Sequence, residues 1–355
     1  MNKKKVVIGM SGGVDSSVAA ALLLEDGYEV IGLTMRLWDD KSENGASECS
    51  AVSDARAVCE KLGIQHIVAD FRESFRENVI EYFVGEYQNG RTPNPCIVCN
   101  KFIKFDEMLK CAEELGADYI ATGHYAKIEY NESVGRYLLK NAESTQKDQT
   151  YVLYSLTQRQ LSKTLMPLGR LESKAETRKI AEELGLLTAH KSDSMENCFI
   201  PDGDYAAFIE KHTGIVMPEG EFVNAEGNVL GRHKGIIHYT IGQRKGLGVT
   251  FGKPMFVTKI NPETNEVVLG EKGTEFSKEL VADKLNFISI EKLTQPIEVL
   301  AKVRYSAKPA KATVFPQEAL AKVVFDEPQR AVTPGQAVVF YALCGNGVVG
   351  GGIIR

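Results

Sequence analysis

The sequence lacks long apolar runs, and it has no excess of positive charge. Across 355 residues no stretch approaches the roughly 20 apolar residues of a membrane-spanning helix, and residues 1–10 lack the apolar core of a signal peptide. We therefore expect a soluble, cytoplasmic protein with no membrane partner. Asp and Glu number 47 against 42 Lys and Arg, so the net charge of −5 argues against general polyanion affinity and leaves only local basic patches.

A complete disulfide framework is also absent. Seven cysteines is an odd number in a chain without a secretion signal, so reactive or metal-binding thiols are the better interpretation. Internal repeats and low-complexity tracts are lacking as well. The composition is that of an ordinary globular protein.

The order of apolar runs predicts an α/β chain with three parts. Up to about residue 200, short apolar runs alternate with amphipathic stretches, which indicates a Rossmann-like parallel sheet covered by helices. The predicted strands are 5–10, 29–35, 66–70 and 119–123, and the predicted helices are 18–25, 53–62 and 105–115. We predict a nucleotide-binding domain over 1–200, a small mixed domain over 201–280 and an all-β barrel over 281–355.

A glycine- and serine-rich loop follows the first predicted strand and is the strongest local signal. Two adjacent glycines allow close backbone approach, so that several N–H groups and a helix N-terminus face an anion. The candidate ATP-binding residues are Gly9, Met10, Ser11, Gly12, Gly13, Val14, Asp15 and Ser16. Asp15 would hold Mg²⁺ beside the phosphates. The alternative is a tight turn capped by serines.

No lysine follows these glycines, so the loop is not the common P-loop. It resembles the pyrophosphate loop of the N-type ATP pyrophosphatases, which cleave ATP between the α- and β-phosphates and transfer AMP to an oxygen. Met35, Gly123 and His124 follow buried strands, at the sheet edge where ligands bind in such folds. We assign Met35 and Gly123 to ATP, with core packing as the alternative for Met35.

The cysteines at 96 and 99 form the second signal. Pro93 and Pro95 favour a presented loop over a helix or strand there. A C-x-x-C pair on such a loop is a redox pair, half of a metal site, or a nucleophile with a neighbour. A third cysteine, Cys198, stands in the polar segment 194–200.

These motifs occur in an order that resembles the tRNA-specific 2-thiouridylases. The matching segments cover nearly the whole chain and read GMSGGVDSS, TPNPCIVCNKFIKF, ATGHYA, KDQTYVL, ENCFIP, GQRKGLG and KVRYSA. That family converts the wobble uridine of certain tRNAs to 2-thiouridine. The resemblance implies ATP and Mg²⁺ as cofactors, tRNA as substrate, and a persulfide donor protein as partner, either a cysteine desulfurase or a sulfur relay protein.

The resemblance also implies roles for individual residues. Cys198 would carry a persulfide, and Cys99 would be the nucleophilic second thiol, able to form a disulfide with Cys198. Lys101 and Lys104 are cations that would lower a thiol pKa nearby. The residues expected to contact tRNA or the target base are Asn94, Pro95, Cys96, His124, Lys147, Asp148, Gln149, Arg304, Tyr305 and Gln336.

One position departs from the family pattern, because Cys96 stands where many members have an Asp with a proposed acid–base role. Cys96, Cys99 and Cys198 together would hold a [4Fe–4S] cluster with one open iron position, as in other tRNA-thiolating ATP pyrophosphatases. Direct persulfide transfer and cluster-dependent transfer both stay open at this point. Two further readings also stay open: an amidating synthetase with the same ATP loop, and a tRNA-binding or iron–sulfur carrier protein.

Overall fold

The computed structural model describes residues 3–38, 50–191 and 197–355. Within these stretches, no helix combines the length and the apolar character that crossing a membrane requires. The predicted architecture is confirmed: a parallel sheet is followed by a four-stranded mixed sheet and a closed six-stranded barrel. The predicted boundaries at 200 and 280 stay predictions.

The N-terminal sheet places its strand ends at one edge. In chain order the strands of this region are β1 (Lys5–Gly9), β2 (Glu29–Arg36), β3 (Gln65–Asp70), β4 (Tyr119–Ala121), β5 (Lys127–Asn131), β6 (Arg136–Lys140) and β7 (Thr164–Leu165). The sheet order is β3-β2-β1-β4-β7 with all pairs parallel, while β5 and β6 form a separate hairpin. In such a sheet, the ligand crevice lies beyond the carboxyl ends of the central strands.

Helices cover this sheet, and the first of them starts earlier than predicted. The helices are α1 (Val14–Glu25), α2 (Ser50–Leu62), α3 (Arg72–Phe75), α4 (Glu81–Gln88), α5 (Pro95–Cys99), α6 (Met108–Glu114), α7 (Gln158–Ser162) and α8 (Lys174–Glu183). Helix α1 begins at Val14 instead of residue 18, because Gly13 is extended and serves as its N-cap. Asp15 and Ser16 therefore lie in the first turn, beside the free N–H groups of the helix.

The segment with the two cysteines is helical, so the prediction of a loop was wrong. Pro95 occupies the first position of α5, where a missing N–H costs nothing and the fixed φ suits a helix. The Asn94 side chain caps this helix by accepting from the N–H groups of Cys96 (3.1 Å) and Ile97 (3.4 Å). A π-helical stretch, Asn100–Glu107, continues α5 into α6.

The rest of the chain forms one helix and ten strands among the described residues. These are α9 (Tyr205–Thr213), β8 (Gly220–Val223), β9 (Val229–His233), β10 (Met255–Asn261), β11 (Glu266–Glu271), β12 (Phe276–Phe287), β13 (Ile297–Lys302), β14 (Ala310–Gln317), β15 (Leu320–Arg330), β16 (Ala337–Tyr341) and β17 (Val348–Ile354). Strands β8 to β11 make the central sheet, in the order β10-β11-β8-β9, and β12 to β17 close the barrel.

The barrel packs directly on the N-terminal region. Val7 and Tyr151 share one buried apolar cluster with Ala337 and Val339 of β16. Gln336, just before β16, donates from Nε2 to the carbonyl oxygen of Thr92 at 2.8 Å. The barrel thereby fixes the chain immediately before α5, and so helps to place the two cysteines.

Candidate active site

A single cavity of about 1190 Å³ lies beyond the carboxyl ends of β1, β2 and β4. It contains most of the predicted site residues. Those that line it are Gly9, Ser11, Gly12, Gly13, Val14, Asp15, Ser16, Met35, Asn94, Pro95, Cys96, Gly123, His124, Lys147, Gln149, Cys198, Tyr305 and Gln336. We call the part formed by residues 9–16 the loop end, and the part formed by Cys96 and Cys198 the thiol end.

Four predicted residues do not line this cavity in the described structure. Met10 is buried beneath the loop, and its carbonyl oxygen accepts from Thr34 Oγ1 at 3.0 Å. Cys99 is buried behind the thiol end, Arg304 lies outside the lining, and Asp148 lines a neighbouring cavity of about 380 Å³. The two cavities share a wall, since Gln146 and Tyr305 line both.

The loop end is held in shape by its own serines. Ser16 Oγ donates to the Gly13 carbonyl oxygen at 3.1 Å and accepts from the Ser11 N–H at 3.2 Å. Ser17 Oγ donates to the same Gly13 carbonyl at 2.8 Å. In the described chain no side chain caps α1, so its first N–H groups face the cavity, where an anion would bind.

Two glycines in this region are required by contact. Gly12 has φ +68, and a Cβ there would lie 2.6 Å from the Ala51 carbonyl oxygen. At Gly123, a Cβ would lie 2.8 Å from the Asp15 carbonyl carbon and from the Ser16 nitrogen. The end of β4 therefore packs against the first turn of α1. The assignment of Gly123 to ATP stays a prediction.

Asp15 is the centre of a polar network. Both of its carboxylate oxygens accept from Lys174 Nζ at 2.8 Å, and Oδ1 also accepts from Tyr125 Oη at 2.9 Å. The Tyr125 hydroxyl is 2.7 Å from Thr177 Oγ1 of α8. Carboxylate oxygens are the ligands that Mg²⁺ prefers, and a cation already lies against them in the form of the Lys174 ammonium group. Asp15 offers one carboxylate, which Mg²⁺ would share with phosphate oxygens once Lys174 gives way.

The cavity wall also contains a buried histidine. His124 is 8% exposed, and its Nδ1 is 2.8 Å from Thr122 Oγ1. Burial, with a smaller effect from the Lys104 charge, holds the pKa of His124 well below its ordinary value. The ring is therefore neutral at physiological pH and serves as a hydrogen-bonding group.

The thiol end has two exposed cysteines, and a third cysteine is buried behind it. Cys96 and Cys198 are exposed, whereas Cys99 is 7% exposed and packs among Phe75, Val79 and Ile103. Burial raises the pKa of Cys99. Cys198 is open to the cavity, but protein surrounds that cavity closely enough for desolvation to raise the pKa of its thiol to about 12. The positive charge of Lys104 opposes both shifts.

Phe199 anchors the segment that contains Cys198, although α5 lies nearly a hundred residues earlier in the chain. Its ring meets Phe83 at 5.3 Å, Phe208 at 5.4 Å and Phe75 at 5.8 Å, each edge to face. These contacts anchor the segment to α3, α4 and α9. Residues 194–196 of the predicted motif lie outside the described residues, as does Cys49.

The three thiols do not form a metal site in this structure. Among residues 3–38, 50–191 and 197–355, no three His, Cys, Asp or Glu side chains converge closely enough to hold a metal ion. Cys96 and Cys99 also lie on one short helix that buries only the second of them. The predicted [4Fe–4S] cluster therefore does not fit the arrangement, and we derive no step through it.

The predicted tRNA contacts Asp148, Gln149 and Tyr305 divide into two groups. Asp148 is turned inward, where its carboxylate accepts from the Ala142 N–H at 2.9 Å, the Thr150 N–H at 3.2 Å and the Thr150 hydroxyl. Gln149 Oε1 accepts from the Tyr125 N–H at 2.9 Å, so this residue also supports the structure. Tyr305, by contrast, is 45% exposed and stands at the wall between the two cavities.

Sequence analysis missed several residues of the cavity. Lys191 lines the loop end, and its Nζ donates to the Gly12 carbonyl oxygen at 3.1 Å and to Asp54 Oδ2 at 2.6 Å. Tyr125 and Asn100 of the lining were missed as well, and so was Lys174, which lies outside the lining against Asp15. Asn100 follows Cys99, and its buried Oδ1 has no partner among the described residues. No local motif marks the two lysines, which lie more than 150 residues from the loop.

Comparison with known proteins gives matches over the whole chain. Three family profiles match in order: the tRNA methyl transferase HUP domain over 4–202, the tRNA methyl transferase PRC-barrel domain over 206–271, and the aminomethyltransferase beta-barrel domain over 277–354. The chain is 58% identical to the tRNA-specific 2-thiouridylase MnmA of Clostridioides difficile, covering 99% of this chain and 98% of that protein. It is 57% identical to the enzyme of the same name from Acetivibrio thermocellus, covering all of both chains.

Solved structures give more distant matches. The U34-tRNA thiolase NcsA from Methanococcus maripaludis, with its [4Fe-4S] cluster, is 21% identical over 60% of this chain and 68% of that chain, with a TM-score of 0.36. The NMN synthetase of Francisella tularensis is 15% identical over 60% of this chain and 78% of its own, with a TM-score of 0.33. Both similarities are too low to bear on the site.

Proposed function

Because the chain belongs to the tRNA-specific 2-thiouridylase family, we propose that it uses ATP to replace the C2 oxygen of a tRNA wobble uridine with sulfur. It is an enzyme, a tRNA sulfurtransferase. The observation that carries the assignment to these residues is the shared cavity, which has an anion-binding loop at one end and the thiols of Cys96 and Cys198 at the other. A uridine between them would meet ATP on one side and sulfur on the other.

The loop end would bind ATP with the phosphates at the N-terminus of α1. The free N–H groups and the helix dipole attract negative charge there, and Gly12 and Gly13 allow the phosphates to approach the backbone. Met35 and Gly123 would border the nucleotide, since both line the same end of the cavity. Asp15 would hold Mg²⁺, which neutralises phosphate charge when bound.

The first chemical step would activate the base. The uridine C2 oxygen attacks the α-phosphorus of ATP, the bond to the β-phosphate oxygen breaks, and pyrophosphate leaves. AMP is then bonded to the former carbonyl oxygen, which makes that oxygen a good leaving group. The target base must leave its stack to reach the cavity, and Asn94, Pro95 and Cys96 would border its pocket. Neutral His124 would hydrogen-bond the base without adding charge.

The second step would deliver sulfur. The terminal sulfur of a Cys198 persulfide attacks C2 and AMP departs, leaving C2 bonded through two sulfurs to Cys198. The Cys99 thiolate then attacks Cys198 Sγ, which releases 2-thiouridine and forms a Cys99–Cys198 disulfide. A thiol reductant restores both thiols, and a persulfide donor protein reloads Cys198. Cys99 is buried in the present arrangement, so this step requires the thiol end to open.

Nucleoside mass spectrometry for 2-thiouridine tests the proposal. Unmodified tRNA is incubated anaerobically with ATP, Mg²⁺, a persulfide donor and iron-free protein. We expect 2-thiouridine, with one pyrophosphate released per base modified. Product only after iron and sulfide reconstitution would replace the persulfide route with a cluster. No product under either condition would reject the proposed function. An amidating synthetase and a tRNA-binding or iron–sulfur carrier protein would then be the remaining interpretations.

The cellular setting follows from the proposed substrate. An enzyme that modifies tRNA with ATP and a persulfide donor protein would act in the cytoplasm, where all three are found. We extend this proposal to the three predicted domains as well: residues 1–200 for catalysis, 201–280 for contact with tRNA, and 281–355 as the barrel that supports the thiol end.

A further inference from the structure

The glycine loop carries no positive side chain to balance the charge of its proposed ligand. Residues 9–17 contain one acidic side chain and no basic one, yet the proposed ligand is a triphosphate. In the common P-loop a lysine within the motif contacts the β- and γ-phosphates. The structure instead brings two lysines to these residues from a later part of the chain: Lys191 lines the cavity, and Lys174 lies outside the lining, against Asp15.

Lys191 stands at the mouth of the loop end. Its Nζ lies 3.1 Å from the Gly12 carbonyl oxygen, and it forms an ion pair of 2.6 Å with Asp54 of α2. The side chain is 42% exposed and lines the cavity. An ammonium group in this position is within reach of an anion at the α1 N-terminus, and an exposed ion pair is weak enough to be exchanged for a phosphate.

Lys174 approaches the loop from behind. It is the first residue of α8, its side chain is 13% exposed, and it donates to both oxygens of Asp15. The ammonium group therefore occupies the position, next to the Asp15 carboxylate, that a divalent cation would take. Two cations do not share one carboxylate at this distance without strong repulsion.

We infer that Lys174 and Lys191 are the phosphate-binding cations of this enzyme. Each is stored on a carboxylate, Asp15 or Asp54, in the free protein and moves to phosphate oxygens when ATP and Mg²⁺ enter. Asp15 would hold Mg²⁺ in place of the Lys174 ammonium group, which would then contact phosphate. Lys191 exchanges Asp54 for the β- and γ-phosphates and stabilises the departing pyrophosphate. The inference rests on the proposed function, since it assumes that ATP is cleaved at this loop.

Binding of inorganic pyrophosphate to the full-length protein, measured by titration calorimetry without tRNA, tests Lys191. Replacing one charged donor to a phosphate, in K191M, is expected to weaken binding about 10- to 100-fold. The matched control is K179M, because Lys179 is a 74% exposed lysine of α8 whose partner is Glu183. The control should bind like wild type. Equal binding by K191M and K179M would overturn the assignment of Lys191.

Asp54→Asn gives a test in the opposite direction. It removes the carboxylate that competes for Lys191, so pyrophosphate should bind about two- to fivefold more tightly. In the double variant D54N/K191M the gain should disappear, because no ammonium group remains to be released. A gain that persists without Lys191 would show that Asp54 acts only by repelling the ligand.

Lys174 has a signature that a purely structural residue would not produce. In K174M, Mg²⁺ no longer competes with an ammonium group for Asp15, so less Mg²⁺ should give half-maximal pyrophosphate binding. At saturating Mg²⁺, however, binding should be about tenfold weaker, because one phosphate contact is missing. A lower Mg²⁺ requirement together with weaker pyrophosphate binding at saturating Mg²⁺ supports the exchange of Lys174 for Mg²⁺ at Asp15. An unchanged Mg²⁺ requirement would overturn it.

Two further measurements separate the outcomes. If K174M lowers the melting temperature, D15N should be compared with D15N/K174M. Neither variant contains the unpaired Asp15 carboxylate, so the difference in their pyrophosphate affinity still reports the phosphate contact of Lys174. If wild-type protein binds neither ATP nor pyrophosphate, the proposed function itself fails. If wild type binds both and forms 2-thiouridine while the lysine variants bind equally well, only the inference about the lysines fails.

Discussion

The two ends of the cavity differ in how ready they are for their ligands. At the loop end, serine hydroxyls tie the backbone into shape, and Asp15 and Lys174 form a closed ion pair. At the thiol end, Cys99 is packed into an apolar cluster, and desolvation raises the pKa of both Cys99 and Cys198. The first end presents an ordered backbone to an anion, while the second holds Cys99 and Cys198 in the protonated, unreactive form.

The difference follows from the chemistry at each end. Backbone N–H groups and a helix dipole bind an anion with no change of protonation. A thiol becomes a nucleophile only as the thiolate, and burial in apolar surroundings disfavours that charge. ATP binding should therefore require no change in the protonation of the protein. Sulfur chemistry should depend on what enters the cavity and on Lys104, whose charge favours both thiolates.

The largest expected effect is a loss of sulfur transfer with no loss of ATP binding, which would show that the two ends act independently. Cys198→Ser removes the persulfide carrier, so 2-thiouridine should fall to background while calorimetry still shows wild-type ATP binding. Cys344→Ser, at an exposed cysteine between β16 and β17, is the control and should retain activity. Loss of ATP binding in C198S would show that the two ends are coupled and that the comparison is wrong.

The same assay distinguishes the two thiols of α5. Cys99→Ser should stall the reaction after sulfur has bonded to C2, which leaves a covalent protein–tRNA adduct on a non-reducing gel. Added dithiothreitol should release the tRNA as product. Cys96→Ser should give no adduct. If the adduct forms in C96S and not in C99S, the exposed Cys96 would be the second thiol in place of Cys99.

The next effect is on the pH dependence of Cys198. With a pKa of about 12, the thiolate fraction rises tenfold with each pH unit below that value, so alkylation by iodoacetamide should rise about 100-fold from pH 8 to pH 10. A model thiol with a pKa of about 8.5 levels off within this range. Lys104→Met should slow the Cys198 reaction further, since it removes a charge that lowers the pKa. Mass spectrometry of the modified peptide follows the rates, and a plateau near pH 9 would contradict the desolvated thiol.

A fourth prediction concerns the rigidity of the loop end. Gly123→Ala would place a Cβ 2.8 Å from backbone atoms of Asp15 and Ser16, so the first turn of α1 or the end of β4 would have to shift. We expect a loss of about 1–3 kcal/mol in unfolding free energy and weaker ATP binding. Gly85→Ala in α4 is the control, because a Cβ there meets no described atom within 4 Å. It should stabilise the protein by about 0.5–1 kcal/mol. Wild-type ATP affinity in G123A would show that this end adapts.

Local patterns predicted much of the fold because each needs only neighbouring residues. The predicted strand starting at residue 5 and the helix ending at residue 25 agree with β1 and α1, since buried runs and turn glycines mark them directly. The start of α5 was missed because Pro95 has two meanings: it breaks a helix interior, but it suits the first helical position. The Asn94 cap decides between them, and its effect shows only in the hydrogen bonds to Cys96 and Ile97.

The site was predicted where motifs are contiguous and missed where partners are distant. The glycine loop and the C-x-x-C spacing identify themselves in sequence. The burial of Cys99 depends on Phe75 and Val79 from other helical turns, and no spacing rule states it. The ion pairs of Lys174 and Lys191 join residues 159 and 137 positions apart. Such contacts are products of the tertiary fold.

The smallest expected effect is at Arg304, next to the wall that the two cavities share. We call the position of Arg304 and Tyr305 the rim. Arg304 precedes the exposed Tyr305 and lines neither cavity among the described residues, so a tRNA phosphate is its remaining proposed ligand. Arg304→Ala should reduce the slope of log affinity for tRNA against log salt concentration by about 1. Arg159→Ala removes an exposed arginine paired with Glu113 and is the control. Filter binding at several salt concentrations measures both variants. An unchanged slope in R304A would mean that Arg304 touches no phosphate, and that tRNA is held by the cavity walls instead of the rim.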